Sequence, residues 1–122
     1  MKKTTYVNSP ATVERAASDV ELAWVAGFFD GEGYTGARKT KYGTYQLQLQ
    51  IQQKGREPLD RVCEILGGKV YTLKSRPGIF KWSLHKKQAV KNALGLLWPY
   101  LTKVKKEQAN KALRKDLGYE EI

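Results

Sequence analysis

The stretch Leu22-Ala-Trp-Val-Ala-Gly-Phe-Phe-Asp-Gly-Glu-Gly33 constrains this chain more than any other segment. Ser18 followed by Glu21 is a capping-box pair and predicts a helix over residues 19–30. Val20, Leu22, Ala23, Trp24, Val25, Ala26, Phe28 and Phe29 leave that helix apolar on nearly every side. Such a helix has to be covered all round. In a chain of 122 residues, complete burial points to a second subunit covering part of it. Ala23, Gly27 and Gly31 recur every four positions and form one line along the helix, which lets two helix backbones approach closely. Asp30 and Glu32 follow where the helix breaks at glycine. Helix C-termini carry partial negative charge, so acids there are disfavoured, and more so when paired across a two-fold axis. A cation would relieve that repulsion, which points to a metal site.

The rest of the chain supplies a sheet. From residue 42 to 53, Tyr45, Leu47, Leu49 and Ile51 alternate with Gln46, Gln48, Gln50 and Gln52, the pattern of a strand with one core face and one polar face. Residues 57–66 read as a helix ended by Gly67-Gly68. Residues 69–75 and 79–84 form a hairpin around Arg76-Pro77-Gly78, with Phe80, Trp82 and Leu84 on one side and Lys81 and Ser83 on the other. A helix over 86–98 is interrupted by Pro99, and a last helix covers 102–117. Residues 1–17 read as an N-terminal arm with a short helix begun by Ser9-Pro10, and 18–122 as a single domain. The order is helix, two strands, helix, two strands, two helices: an α+β plan with helices on one sheet face.

Charge narrows the function. Lys+Arg 22 against Asp+Glu 12 gives a net charge of +10, which attracts a polyanion. No segment joins a long apolar face to a basic one, so nucleic acid is favoured over a membrane surface. The single Cys63 excludes an intramolecular disulfide and a cysteine-based zinc site; between Val62 and Leu66 it reads as an inert core thiol. The single His85 excludes multi-histidine metal motifs and reads as a strand-end or helix-start residue. After Met1-Lys2-Lys3 the sequence turns polar, with no apolar run suited to secretion, so an intracellular location is expected.

Val25-Ala-Gly-Phe-Phe-Asp-Gly-Glu-Gly33 resembles the LAGLIDADG motif position by position. Leu49-Gln-Ile-Gln-Gln-Lys54 is similar to the strand end before that family's middle helix, and Tyr100-Leu-Thr-Lys-Val-Lys-Lys-Glu-Gln-Ala-Asn110 to the basic stretch near the end of single-motif members. The resemblance covers residues 20–117. It implies a LAGLIDADG homing endonuclease with an αββαββα fold and a saddle-shaped antiparallel sheet over DNA. One motif implies a homodimer, with Ala23, Gly27 and Gly31 at its interface, cleaving a long pseudopalindromic double-stranded target. Glu32 matches the family's metal ligand, with the Gly31 carbonyl and Asp30 as further candidates for Mg²⁺ or Mn²⁺. Gln53 and Lys105 match the polar and basic residues that order water and steady the transition state, with Lys54 and Arg56 flanking Gln53.

The outward row Tyr42, Thr44, Gln46, Gln48 and Gln50, continued by Gln52, suits base reading, since Gln bonds bidentately to adenine. Arg38, Thr72, Lys74, Arg76, Lys81 and Ser83 fall on neighbouring strand positions of compatible parity and complete the expected DNA face. Two other readings use the same fold: a maturase that binds intron RNA, and a DNA-binding regulator without cleavage.

Overall fold

A computed structural model of the chain describes residues 16–117. Helix α1 spans Asp19–Glu32, and both halves of the capping box are present: Glu21 N–H donates to Ser18 Oγ at 3.1 Å and Ser18 N–H to Glu21 Oε1 at 3.0 Å. Strands β1 (Gly33–Lys39) and β2 (Tyr45–Gln53) form the first hairpin. Helix α2 (Glu57–Leu66) has Pro58 in its first turn and stops at Gly67. The second hairpin is β3 (Lys69–Thr72) with β4 (Phe80–Leu84). Helix α3 (Lys87–Leu97), a 3-10 turn at Trp98–Tyr100 that contains Pro99, and α4 (Lys103–Asp116) complete the described chain.

The sheet is antiparallel with strand order β1-β2-β4-β3. Its registers Ile51↔Trp82 and Leu49↔Leu84 put the apolar residues of β2 and β4 on one face, where all four are buried. The helices cover that face: Phe29 and Val25 of α1, Leu59 and Val62 of α2, Val90 and Leu97 of α3 and Ala109 of α4 join the same core. The expected α+β plan with helices on one sheet face is therefore the observed one.

Both hairpins differ from the sequence-based expectation. Pairing in the first hairpin stops at Lys39↔Tyr45, and Lys41-Tyr42-Gly43 make a turn in which Gly43 takes φ of +86°. The second hairpin is shorter than expected, closing at Leu73 N–H to the Ile79 carbonyl. The N-terminal helix started by Ser9-Pro10 falls outside the described residues, apart from Ala16 and Ala17, which lie in no helix or strand.

Helix α1 is only partly covered by its own chain. Leu22, Val25, Ala26 and Phe29 are buried, whereas Val20 (78% exposed), Ala23, Trp24 (39%), Gly27 and Gly31 form an open line along the opposite side. A Cβ added at Gly27 or Gly31 would meet nothing within 4 Å.

One glycine fixes the α2–β3 connection. Gly68 has φ of +97°, and a Cβ there would fall 2.5 Å from the Ser83 carbonyl oxygen. The buried Trp82 Nε1–H also donates to the Gly67 carbonyl at 2.7 Å. Gly68→Ala is expected to cost about 2 kcal/mol or more, from backbone strain together with the clash. Gly78→Ala shares the positive φ (+85°) but has open space around it, so it should cost only the backbone part. Urea unfolding of the two variants checks the contrast; equal losses would remove the close-approach argument.

Candidate metal-binding turn and nucleic-acid face

The acidic turn lies where α1 hands over to β1. Gly33 N–H still bonds the Phe29 carbonyl, but two residues on the helical ladder is broken: Thr35 N–H donates to Gln108 Oε1 at 3.0 Å. The Gly31 carbonyl, which an unbroken helix would pair with Thr35 N–H, is left without that partner. Beside it Glu32 is exposed. A carboxylate and a backbone carbonyl whose helical donor is engaged elsewhere are both hard oxygen donors, a set that fits Mg²⁺ or Mn²⁺ keeping several waters. Among the described residues no three His, Cys, Asp or Glu side chains cluster as a complete metal shell.

Asp30 occupies a different position. Its Oδ1 accepts from Thr102 N–H at 3.1 Å, tying the end of α1 to the start of α4. This bond engages one carboxylate oxygen in the fold and gives Asp30 a structural reason to be at the turn. Together with the Thr35–Gln108 bond, it lashes α4 along residues 30–35. Lys105, half-buried, lies on α4 between these two anchors.

Gln53 sits at the same end of the sheet. β1 begins opposite Ile51, so Gln52 and Gln53 are the β2 residues level with the acidic turn. Gln53 has the parity of Leu49 and Ile51, so it faces the helix layer and not the polar face, and its rung partner is Phe80. Arg56, with its Nε 3.1 Å from Asp60 Oδ1, lies over the Phe80 ring at 5.9 Å. Glu32, Gln53 and the α4 segment that carries Lys105 thus belong to one end of the fold.

The opposite face of the sheet is polar and carries no acid. None of the four strands contains Asp or Glu. Gln46, Gln48, Gln50 and Gln52 line it as expected; Arg38 Nη2 donates to Gln46 Oε1 at 2.8 Å, and Arg76 Nη1 to Gln52 Oε1 at 2.9 Å. Lys81 also belongs to this face, its Nζ 6.0 Å from the Tyr71 ring centre.

Five expected contacts are displaced. Tyr42 and Thr44 belong to the hairpin turn, where Tyr42 is 80% exposed and the Thr44 hydroxyl bonds Thr40 Oγ1 at 2.8 Å. Thr72 pairs with Phe80 and shares its core-side parity, and Lys74 lies in the turn beyond β3. Ser83 has the expected parity but is 2% exposed, screened by longer neighbours. The register adds residues that sequence reasoning passed over: Tyr34 beside Gln50, Tyr71 and Lys69 on β3, and His85 just after β4. Strand parity counted from Arg38 would have found Tyr34. The Tyr34 ring lies against Gly36, where a Cβ would come within 2.4 Å of it.

His85 hydrogen-bonds Ser83 Oγ through Nε2 at 3.1 Å, and its Nδ1 is buried without a partner. Burial, then the positive charges of Lys81, Arg38 and Lys69, hold its pKa below the ordinary histidine value. Cys63 is half-buried and its Sγ donates to the Gly68 carbonyl at 3.3 Å; burial, then Asp60 and Glu64, push the thiol pKa up, as an inert thiol requires.

Comparison with known proteins agrees with this geometry. A family model described as LAGLIDADG endonuclease matches residues 25–115. The homing endonuclease I-CvuI, solved in complex with its target in the presence of calcium, is similar at a TM-score of 0.70 and 26% identity, over 79% of this chain and 65% of that one. The same enzyme with the I-CreI target and magnesium, its DNA not cleaved, gives 0.68 and 25%, over 78% and 64%. The intron-encoded RNA maturase bI4 of Saccharomyces cerevisiae is 34% identical over 71 residues, 54% of this chain and 11% of that protein. The chain therefore spans just under two thirds of the I-CvuI chains and about a tenth of the maturase.

The His85 environment has a measurable consequence. With the folded pKa depressed below the unfolded value of 6.5, the neutral ring's contribution to stability is complete above that value and is lost as pH falls through the folded pKa. Between about pH 7.5 and about pH 5, His85→Gln should lose less stability than the parent chain. Matching pH dependences in chemical unfolding would show that the ring is not held neutral by its surroundings.

Proposed function

Because the chain belongs to the LAGLIDADG endonuclease family, we propose that it is a site-specific double-strand DNA endonuclease, acting as a homodimer on a long pseudopalindromic target by metal-dependent phosphodiester hydrolysis. The observation that carries this reading is the placement of Glu32 and the Gly31 carbonyl at the end of the uncovered line on α1. Two copies joined through Val20, Ala23, Trp24 and Gly27 bring two such turns together at the symmetry axis, under the middle of a two-fold DNA site.

Mg²⁺ or Mn²⁺, when bound, supplies an activated water and neutralises charge on the phosphate and the leaving oxygen. Glu32 and the Gly31 carbonyl hold the ion from each protomer. The Gln53 amide, both donor and acceptor, orients the attacking water. The Lys105 ammonium, kept at the turn by the two α4 anchors, donates to a non-bridging phosphate oxygen. On the sheet, the Gln46–Gln52 row reads base edges in the major groove, with Arg38, Arg76 and Lys81 supplying positive charge and bidentate donors. The neutral row gives little affinity for phosphate, so its value is in sequence preference.

A second reading has one observation in its favour: the identity to a protein named as an intron-encoded RNA maturase. Intron RNA would then bind, with or without retained cleavage.

Two variants test the proposal. Glu32→Gln keeps shape and loses charge, so cleavage of duplexes selected by the parent protein should fall about 10²- to 10³-fold or more, with DNA binding little changed. Full cleavage by this variant would remove Glu32 as the metal ligand. Gly27→Leu adds a side chain into space that is open within one chain. It should leave the fold intact and halve the mass seen by light scattering; an unchanged dimer would sink the α1 interface.

A further inference from the structure

A second feature of the basic surface lies off the reading face. β1 is an edge strand, and α4 packs along it. Between them runs a groove of about 200 Å³, with Tyr34, Thr35 and Ala37 on one side and Gln108, Lys111 and Lys115 on the other. Thr35 is 2% exposed, yet its Oγ1 has no hydrogen-bond partner. A buried hydroxyl without a partner is costly in a folded protein and calls for a ligand. The strand adds a donor: Thr35 N–H points away from β2 toward Gln108, and antiparallel alternation turns Ala37 N–H outward on the same side. Among the described residues, no acid lines the groove.

We propose that this groove binds a backbone phosphate of the DNA held on the sheet, received by the Thr35 hydroxyl, the Ala37 N–H and the Lys111 and Lys115 ammonium groups. The proposal rests on the DNA-binding reading above and deepens it. Tyr34 belongs to both surfaces, since it stands beside Gln50 on the polar face and also lines the groove. A strand of duplex leaving the reading face at its β1 edge therefore meets the groove next. Contacts of this kind fix the register of the duplex without reading its sequence. They hold the target so that the phosphate due for cleavage meets Glu32, two residues before Tyr34 in the chain.

The test is DNA binding by fluorescence anisotropy in EDTA, across a salt series, with a duplex selected by the parent protein. The double variant Lys111→Gln with Lys115→Gln should lower the slope of log affinity against log salt by about 2, one phosphate per protomer of a dimer, with base preference unchanged. Thr35→Val is nearly isosteric and removes a hydroxyl that the free protein leaves unpartnered, so its thermal midpoint should not fall. Its affinity should drop about tenfold, as when a hydrogen bond to a charged group is lost. An unchanged slope in the double variant, with the parent protein binding normally, overturns the proposal and leaves the DNA-binding reading standing. Parent-like affinity in Thr35→Val overturns it as well, whatever the lysines do. Absence of duplex binding by the parent protein overturns the DNA-binding reading, and the groove with it.

Discussion

Helix α1 carries apolar side chains around its whole circumference, and the fold provides cover for only part of it. Leu22, Val25, Ala26 and Phe29 enter the core under the sheet, while Val20, Ala23, Trp24, Gly27 and Gly31 lie on the open side. Apolar surface left in water costs about 25 cal/mol per Å². A line of glycine and alanine gives little of that area by itself, but it lets a second helix come close enough for Val20 and Trp24 to be buried as well. The same geometry decides where the chemistry can be. The helix ends in Asp30-Gly31-Glu32, so whatever covers the line also approaches the carboxylate. Cover by a second copy brings two like charges together at the negative ends of two helices, an arrangement that calls for a cation.

The far side of the turn is held by two bonds between parts of the chain that are distant in sequence. Asp30 accepts from Thr102 N–H and Gln108 accepts from Thr35 N–H, pairs separated by 72 and 73 residues. The first satisfies a backbone donor at the start of α4 and the second an outward donor of the edge strand β1, and together they keep α4 from sliding along β1. The groove whose walls are β1 and α4 depends on these anchors. Asp116 fastens the other end of α4, its nearly buried carboxylate lying 3.3 Å from Lys87 and 3.6 Å from Lys91 of α3.

The elements were legible wherever the sequence had a strong local signal. Ser18 and Glu21 marked the start of α1, Gln–Leu alternation marked β2, and Gly67-Gly68 ended α2. The motif points to Glu32, and two further stretches of resemblance to Gln53 and Lys105; β2 and α4 carry these last two at the end of the fold where the acidic turn lies. Legibility failed where tertiary pairing decides the outcome. Tyr42 and Thr44 continue the polar alternation of β2, but Gly43 at positive φ turns the chain before pairing begins at Tyr45. Thr72 and Lys74 were placed by extending β3 too far, whereas the four-residue strand presents Lys69 and Tyr71 to the polar face. Ser83 has the right parity and is too short to emerge between its neighbours. Asp30 reads from the sequence either as structural at the helix end or as a further metal ligand; its bond from Thr102 N–H supplies the structural role, and local sequence does not reveal that partner.

The central claim is that two acidic turns, brought together by α1, cut DNA at one two-fold site. Its most direct test is to incubate the protein with a randomised duplex library in Mg²⁺, with a parallel sample in EDTA, and to sequence the cut ends. Cuts are expected only in the Mg²⁺ sample, all within one long, roughly palindromic sequence. Retention of duplexes without any metal-dependent cut, or cuts at sites lacking two-fold symmetry, would contradict it.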